Sequence, residues 1–385
     1  MTSVAIVGGG LMGLSAAFHL RRADATVDVI VLERARVGDA ASGASAAGVR
    51  SLGRDPAERA LALESLRRWP DLDRELGGDT RYQRGGGLRI ALDEDAWREA
   101  PAWVAGQRAV GVPVEVVDRA AAMSLAPGLT PDCLGGVYCA IDGHAEARPT
   151  VEAFAAAARR SGARIEEGVA VRALTMEGAR VTGMLRSDGL RQPCDVAIVT
   201  GGAWSASLLA GAGVTLPLET RALQMLLTEP APAQLAPVVG CFDRGLSLKQ
   251  LADGRFLIGG GWPARITGET GNRYELLDES VRGSLDVAST VYPPVRKAGL
   301  ARSWAGLEAF TPDGLPVIGP IPGVDGLLVA AGFSGHGFAL SPVVGDVLAR
   351  LALGRDPLLH LWEGLRWRVW SSRASAATTG SSAGS

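Results

Sequence analysis

The strongest constraint on the fold is a turn close to the start of the sequence. Val4 to Val7 (VAIV) is a short apolar run of the kind that makes a buried strand, and GGGLMG (Gly8 to Gly13) follows at once. LSAAFHLRR then reads as a helix. A second apolar run, VDVIVL (Val27 to Leu32), ends on Glu33, twenty residues past the last glycine. Strand, glycine turn, helix, strand and acid in this order form the dinucleotide-binding fingerprint, in which each part has its own mechanical task. Gly8 permits the tight turn, Gly10 lets the backbone approach a pyrophosphate, and Gly13 lets the helix pack closely on the strand. The helix start presents unpaired N–H groups and about half a positive charge to the phosphates. Glu33 is placed to accept hydrogen bonds from adenosine ribose hydroxyls. The fingerprint serves NAD and FAD alike and does not choose between them.

A chain of 385 residues predicts two domains or three at roughly 150 residues each. With 47% hydrophobic and 21% charged residues it can bury a large core. The net charge of −2, with dispersed Lys and Arg, argues against nucleic-acid binding and a polybasic membrane contact. The four cysteines (Cys133, Cys139, Cys194, Cys241) show no CxxC or Cys/His metal spacing and are expected to be buried reduced thiols in a cytoplasmic protein. The first residues lack the marks of a signal peptide, and no apolar run reaches the length of a bilayer span. Residues 369–385, largely Ser, Ala and Gly, are expected to form a disordered tail.

Beyond Glu33, the Gly/Ala/Ser-rich stretch Arg34 to Gly53 suits a backbone wrapped closely around a ligand. PAERALALESLRRWPDLDREL has apolar residues at helical spacing and predicts one amphipathic helix. Residues 82–144 mix short strands with a helix, and residues 145–212 return to a helix and strands ending in CDVAIVTGGAW, a second strand running into a Gly-Gly turn. Short strands recur over 213–297, with a helix across YELLDESVRGSLDVASTV. The last section contains a buried strand (LLVAA), a glycine loop (GFSGHG) and a helix with Ser341 as N-cap, Pro342 in its first turn and Gly354 as its stop. The expected architecture is α/β. A Rossmann-like nucleotide-binding domain is assembled from residues 1–81, 145–212 and 298–368, and an α+β substrate domain on a mainly antiparallel sheet from 82–144 and 213–297.

VAIVGGGLMG, VLER, SAAGV and the C-terminal WAGL, TPDGLPVIG and AAGFSGHGF together resemble the D-amino-acid oxidase superfamily of flavoproteins, which includes sarcosine and glycine oxidases. The resemblance runs to about residue 368, and its C-terminal motifs move the expected cofactor to FAD. It implies that Gly8, Gly10, Met12 and Gly13 meet the pyrophosphate, and Glu33 and Arg34 the adenosine. Ala44, Ser45, Ala47, Gly48 and Val49 would line the flavin. Val171 would meet the adenine, and Gly201 and Gly202 the ribityl-phosphate region. Phe333, Ser334, Gly335, His336, Gly337 and Phe338 would lie by the isoalloxazine, with the start of the last helix favouring an anionic reduced ring.

Departures from the family pattern matter as much. Monomeric sarcosine oxidases tether their flavin through a cysteine where this sequence has Gly306, so noncovalent FAD is expected. Their oxygen-activating lysine corresponds to Leu257 and their carboxylate-binding lysine to Ala339. The carboxylate-binding arginine of glycine oxidases corresponds to Glu308, and their second arginine to Gly335. A substrate carboxylate would then need Arg50, Arg54, Arg221 or Arg302, and His336 is a candidate base. The expected activity is oxidation of a small amine or amino acid (a D-amino acid, a sarcosine-like compound or a cyclic imino acid) to the imine by hydride transfer to flavin N5. Positioning and a dry pocket matter more to such a step than a dedicated base. The acceptor would be oxygen or another electron carrier. The alternatives are the flavin subunit of a hetero-oligomeric dehydrogenase, a non-catalytic flavin scaffold or assembly factor, and, weakest, an NAD-dependent enzyme.

Overall fold

The computed structural model describes residues 2–232, 235–268 and 273–368, so the expected tail at 369–385 lies outside the described residues. Ser3–Val7 is an inner strand of a six-stranded sheet. The order runs Val317–Pro320, Leu327–Ala331, Val196–Val199, Ser3–Val7, Asp28–Glu33, Arg164–Glu167. All neighbours pair in parallel except the edge strand Val317–Pro320, which is antiparallel. A sheet of this kind has to be covered on both faces, which is why its inner strands are apolar throughout. The helices Leu11–Ala23, Ala147–Arg160 and Gly337–Ala352 cover one face. A three-stranded antiparallel sheet (Val171–Glu177, Arg180–Arg186, Arg191–Pro193) and the helix Ser205–Ala210 cover the other. Leu11–Ala23 and Gly337–Ala352 approach so closely that a Cβ on Gly345 would sit 2.0 Å from Ser15 Oγ.

The second body is a ten-stranded, mainly antiparallel sheet whose longest member is Glu219–Pro230. Leu300–Phe310 pairs with that strand along nearly its whole length. Residues 300–310, expected from sequence among the nucleotide-binding pieces, therefore belong by pairing to this sheet. One face of the sheet packs on the helix Asp278–Val291 through Leu226, Leu248, Ile258, Ala288 and Val291. The other face turns towards Ala41–Val49, where Trp304 Nε1 donates to the Ala44 carbonyl at 3.0 Å and Ala46 packs near Met225 and Leu257.

Two expected helices differ in detail. The segment from Pro56 is broken into Pro56–Arg68, a 3-10 turn at Trp69–Asp71 and Leu72–Leu76. Pro70 lacks the N–H that would continue the ladder. The last helix starts at Gly337 rather than after Ser341, so Pro342 lies inside it. The Phe338 carbonyl that Pro342 cannot satisfy accepts instead from Ser341 Oγ at 2.9 Å, and the helix continues through the proline. All four cysteines are buried and free. Among the described residues no helix is long and apolar enough to cross a membrane, and no cluster of His, Cys, Asp and Glu could hold a metal.

Candidate functional site

The opening turn is built as its spacing requires. Gly8 has φ +101°, and a Cβ there would lie 2.6 Å from the Thr200 carbonyl. A Cβ on Gly13 would sit 2.1 Å from the Gly8 carbonyl, so only glycine lets the helix start this close to the strand. Glu33 accepts from Gly9 N at 2.7 Å and from Ala35 N at 2.8 Å, which fixes its carboxylate at the turn. Ser42 Oγ accepts from Leu11 N at 3.0 Å and closes the helix start from the neighbouring loop.

A continuous cavity of about 770 Å³ runs from this turn to the C-terminal loop. Gly8, Gly10, Met12, Glu33, Arg34, Ser45, Val171, Gly201 and Gly202 line it, as do Phe333, Ser334, Gly335, Gly337 and Phe338. Gly13, Ala44, Ala47, Gly48, Val49 and His336 are not among its lining residues. Gly13 holds the helix instead. Ala47, with φ +53°, and Val49 are fully buried, and Gly48 and Val49 pair with His144 and Gly143 behind the loop. Ser42, Thr200 and Trp204, which were not named as site residues from sequence, also line the cavity. Arg34 stacks its guanidinium 3.5 Å from the Trp204 ring centre. The only hint of this was the second strand-to-glycine turn, TGGAW, which brings Thr200 and Trp204 to the first.

This cavity accommodates a dinucleotide such as FAD. One volume joins the anion-facing helix start to a distant glycine loop. Beyond the turn, the wall is the strand Leu300–Phe310, which contributes Ala305, Gly306, Leu307, Glu308 and Ala309. A Cβ on Gly306 would meet Ala44 Cβ at 2.9 Å, so the position where the resemblance to monomeric sarcosine oxidases implied a tethering cysteine has no room for a longer side chain without a shift.

None of Arg50, Arg54, Arg221 and Arg302 is among the lining residues. Arg54 is buried and committed: it donates to the His336 carbonyl at 3.1 Å and to the Arg50 carbonyl at 3.2 Å, and sits 3.4 Å from Glu58 Oε2. Arg50 donates to the Leu52 carbonyl at 2.5 Å. Burial, followed by repulsion from Arg54, lowers its pKa to about 10, which leaves it charged at neutral pH. Arg302 is exposed and stacks on Trp304, while Arg221 pairs with Glu219 at 2.7 Å and stacks on Phe310. His336 has its Nδ1 3.4 Å from Glu58 Oε2, and burial holds the imidazole below its usual pKa. Burial pushes Glu58 up, but the His336 and Arg54 contacts outweigh it and keep the carboxyl below its ordinary range. The Arg54–Glu58–His336 group therefore fixes the C-terminal loop.

Two ionisable groups on the sheet wall stand apart. Glu308 lines the cavity beside Gly335, whose Cβ position lies 3.7 Å from Glu308 Oε2; burial pushes this carboxyl up to about 7, partly offset by the Gly335 N–H. Lys249 is 1% exposed, and its Nζ has no hydrogen-bond partner. It is the cross-strand partner of Leu257, the residue standing where the resemblance had implied a lysine. Directly paired residues share a sheet face, so Lys249 emerges on the face turned to Ala46.

The comparisons with known proteins agree with this geometry. The family model described as FAD dependent oxidoreductase (DAO) matches residues 3–351. A glycine oxidase of Pseudomonas putida is 30% identical over 92% of this chain and 96% of its own length. Sarcosine oxidase subunit beta of Rhodobacter capsulatus is 26% identical over 92% of this chain and 86% of its own. Among solved structures, L-proline dehydrogenase from P. horikoshii superposes with a TM-score of 0.84 at 26% identity, covering 95% of this chain and 99% of that one.

Proposed function

Since the chain belongs to the DAO family of FAD-dependent oxidoreductases, we propose that it oxidises a small amine, preferentially one that is not held by a carboxylate, at the carbon next to nitrogen. FAD, once bound, supplies the two-electron acceptor. The chain's own residues supply the rest. The Gly8–Gly13 turn and Glu33 hold the nucleotide half, and the Phe333–Phe338 loop and the Leu300–Phe310 wall exclude water around the reacting carbon. Positioning and desolvation of this kind account for much of the barrier reduction in such reactions.

The observation that carries this preference is Glu308. A carboxylate occupies the wall where a glycine-type substrate would need a cation, and the arginines considered for that task are tied to other groups. The test is anaerobic: purified protein is mixed with glycine, sarcosine, D-alanine, L-proline, pyrrolidine and benzylamine while flavin absorbance is followed. Bleaching by none of a broad set of amines would remove amine oxidation from consideration.

Gly306, which has no side chain to tether a flavin and little room for one beside Ala44, supports noncovalent FAD, and denaturation should release all the yellow colour into the supernatant. Molecular oxygen is the acceptor we favour, because Lys249 offers an unpartnered buried amine beside Leu257, and its protonated form would assist reduction of oxygen to an anion. The second reading, electron transfer to a partner subunit, draws on the likeness to sarcosine oxidase subunit beta. Peroxide formation by the isolated chain at the rate of amine oxidation would exclude it. Four free buried thiols suit a reducing, cytoplasmic setting.

A further inference from the structure

Glu308 has no protein cation within ion-pairing distance among the described residues. Arg221, directly opposite on the neighbouring strand, is held by Glu219 at 2.7 Å and lies over Phe310. His336, next to Gly335 in the loop, has its Nδ1 turned to Glu58. Arg273 and Tyr274, from the strand Arg273–Glu275, also line the cavity, and neither is paired with Glu308. The carboxyl therefore faces the cavity with one backbone N–H from Gly335 as its protein contact. A carboxylate left in such a position destabilises the folded chain unless a ligand supplies the missing charge.

We propose that Glu308 binds the positively charged nitrogen of an amine substrate and takes its proton, so that this enzyme selects substrates by their ammonium and not by a carboxylate. The inference rests on the amine-oxidation reading above. In the first step one N–H bond of the secondary ammonium breaks and one O–H bond forms on Glu308. The products are a neutral secondary amine and the Glu308 carboxylic acid, with no change in oxidation state. With FAD bound as the two-electron acceptor, the freed nitrogen lone pair would form the C=N bond as the hydrogen on the adjacent carbon left with its electron pair. The amine would give up those two electrons to the acceptor and become a positively charged iminium. The Glu308 proton returns to solvent through the cavity mouth. A carboxyl raised to about 7 by burial is matched to this transfer near neutral pH.

The test uses the FAD-loaded full chain, wild type and Glu308→Gln, with anaerobic flavin reduction by pyrrolidine and L-proline, a pair differing only by a carboxylate. Wild type is expected to be reduced faster by pyrrolidine, with kred/Kd falling below about pH 7 as Glu308 protonates. Glu308→Gln is expected to lose about 10²-fold or more in rate at neutral pH, to keep its flavin spectrum, and to follow the ionisation of the free amine instead. Glu308→Asp should restore part of the rate and the acid limb of the profile. A preference for L-proline would overturn the proposal, as would a Glu308→Gln profile that overlays wild type. If no amine reduces the wild-type flavin, the amine-oxidation reading itself has failed. If amines reduce it and Glu308→Gln is indifferent, only the role of Glu308 has failed.

Discussion

The two ends of the cavity are built by opposite strategies. At the nucleotide end the site is built on a backbone turn in which Gly8 and Gly13 leave no room for a Cβ, with the Glu33 carboxylate held by Gly9 N and Ala35 N. At the ring end the groups proposed to act are isolated side chains, Glu308 and Lys249, on strands far apart in sequence. A backbone site needs a local sequence with almost no freedom. A side-chain site needs only that a sheet bring the right residues to one face, and many sequences meet that condition.

Substitutions can break this contrast in order of expected effect. Gly13→Ala puts a Cβ against the Gly8 carbonyl; we expect loss of bound FAD altogether, read as flavin absorbance per protein, with thermal melting to show whether the fold survives. If Gly13→Ala binds FAD normally, the nucleotide end is not a backbone site. Arg54→Met leaves the buried Glu58 carboxylate without its guanidinium and should cost about 3–5 kcal/mol in denaturant unfolding. Combining it with Glu58→Gln should recover much of that loss. An Arg54→Met protein with unaltered stability would mean that the loop is anchored elsewhere.

Lys249→Met is expected to act the other way. Burial lowers the Lys249 pKa from 10.5 to about 7. Between these values the unfolded chain binds more protons than the folded one, so the lysine's penalty is full below about pH 7 and fades as pH rises towards 10.5. The variant should gain about 1–3 kcal/mol at neutral pH, with the gain shrinking at high pH, while amine-dependent peroxide formation slows. A stabilised variant with undiminished peroxide formation would assign Lys249 no part in the reaction with oxygen. The smallest effect is expected from Trp204→Leu, which removes the platform under Arg34. A loss of about 0.5–1 kcal/mol in FAD affinity, measured by titrating the stripped protein, would mark this contact as an adjunct to the glycine turn.

Much of the fold was legible because it depends on patterns a few residues long. VAIV, GGGLMG and VDVIVL marked out strand, turn and strand because buried parallel strands are apolar on both faces and the turn tolerates only glycine. The last helix was legible as a helix but not in its start, because the Ser341–Phe338 hydrogen bond that lets Pro342 sit inside it forms only once the chain has folded. Leu300–Phe310 could not be assigned to a sheet from its own residues, since its partner Glu219–Pro230 lies far away along the chain.

The sequence by itself determined the nucleotide end and, through the paired N- and C-terminal motifs, the flavin family. Those features depend on backbone conformation, which local residue choice controls. The tertiary structure decided the ring end. It alone tied Arg54 to Glu58 and His336, left Glu308 facing the cavity, and set Lys249 beside Leu257. Which charges meet a partner and which are left for a ligand depends on strand pairing and burial, and neither is written in any single stretch of the chain.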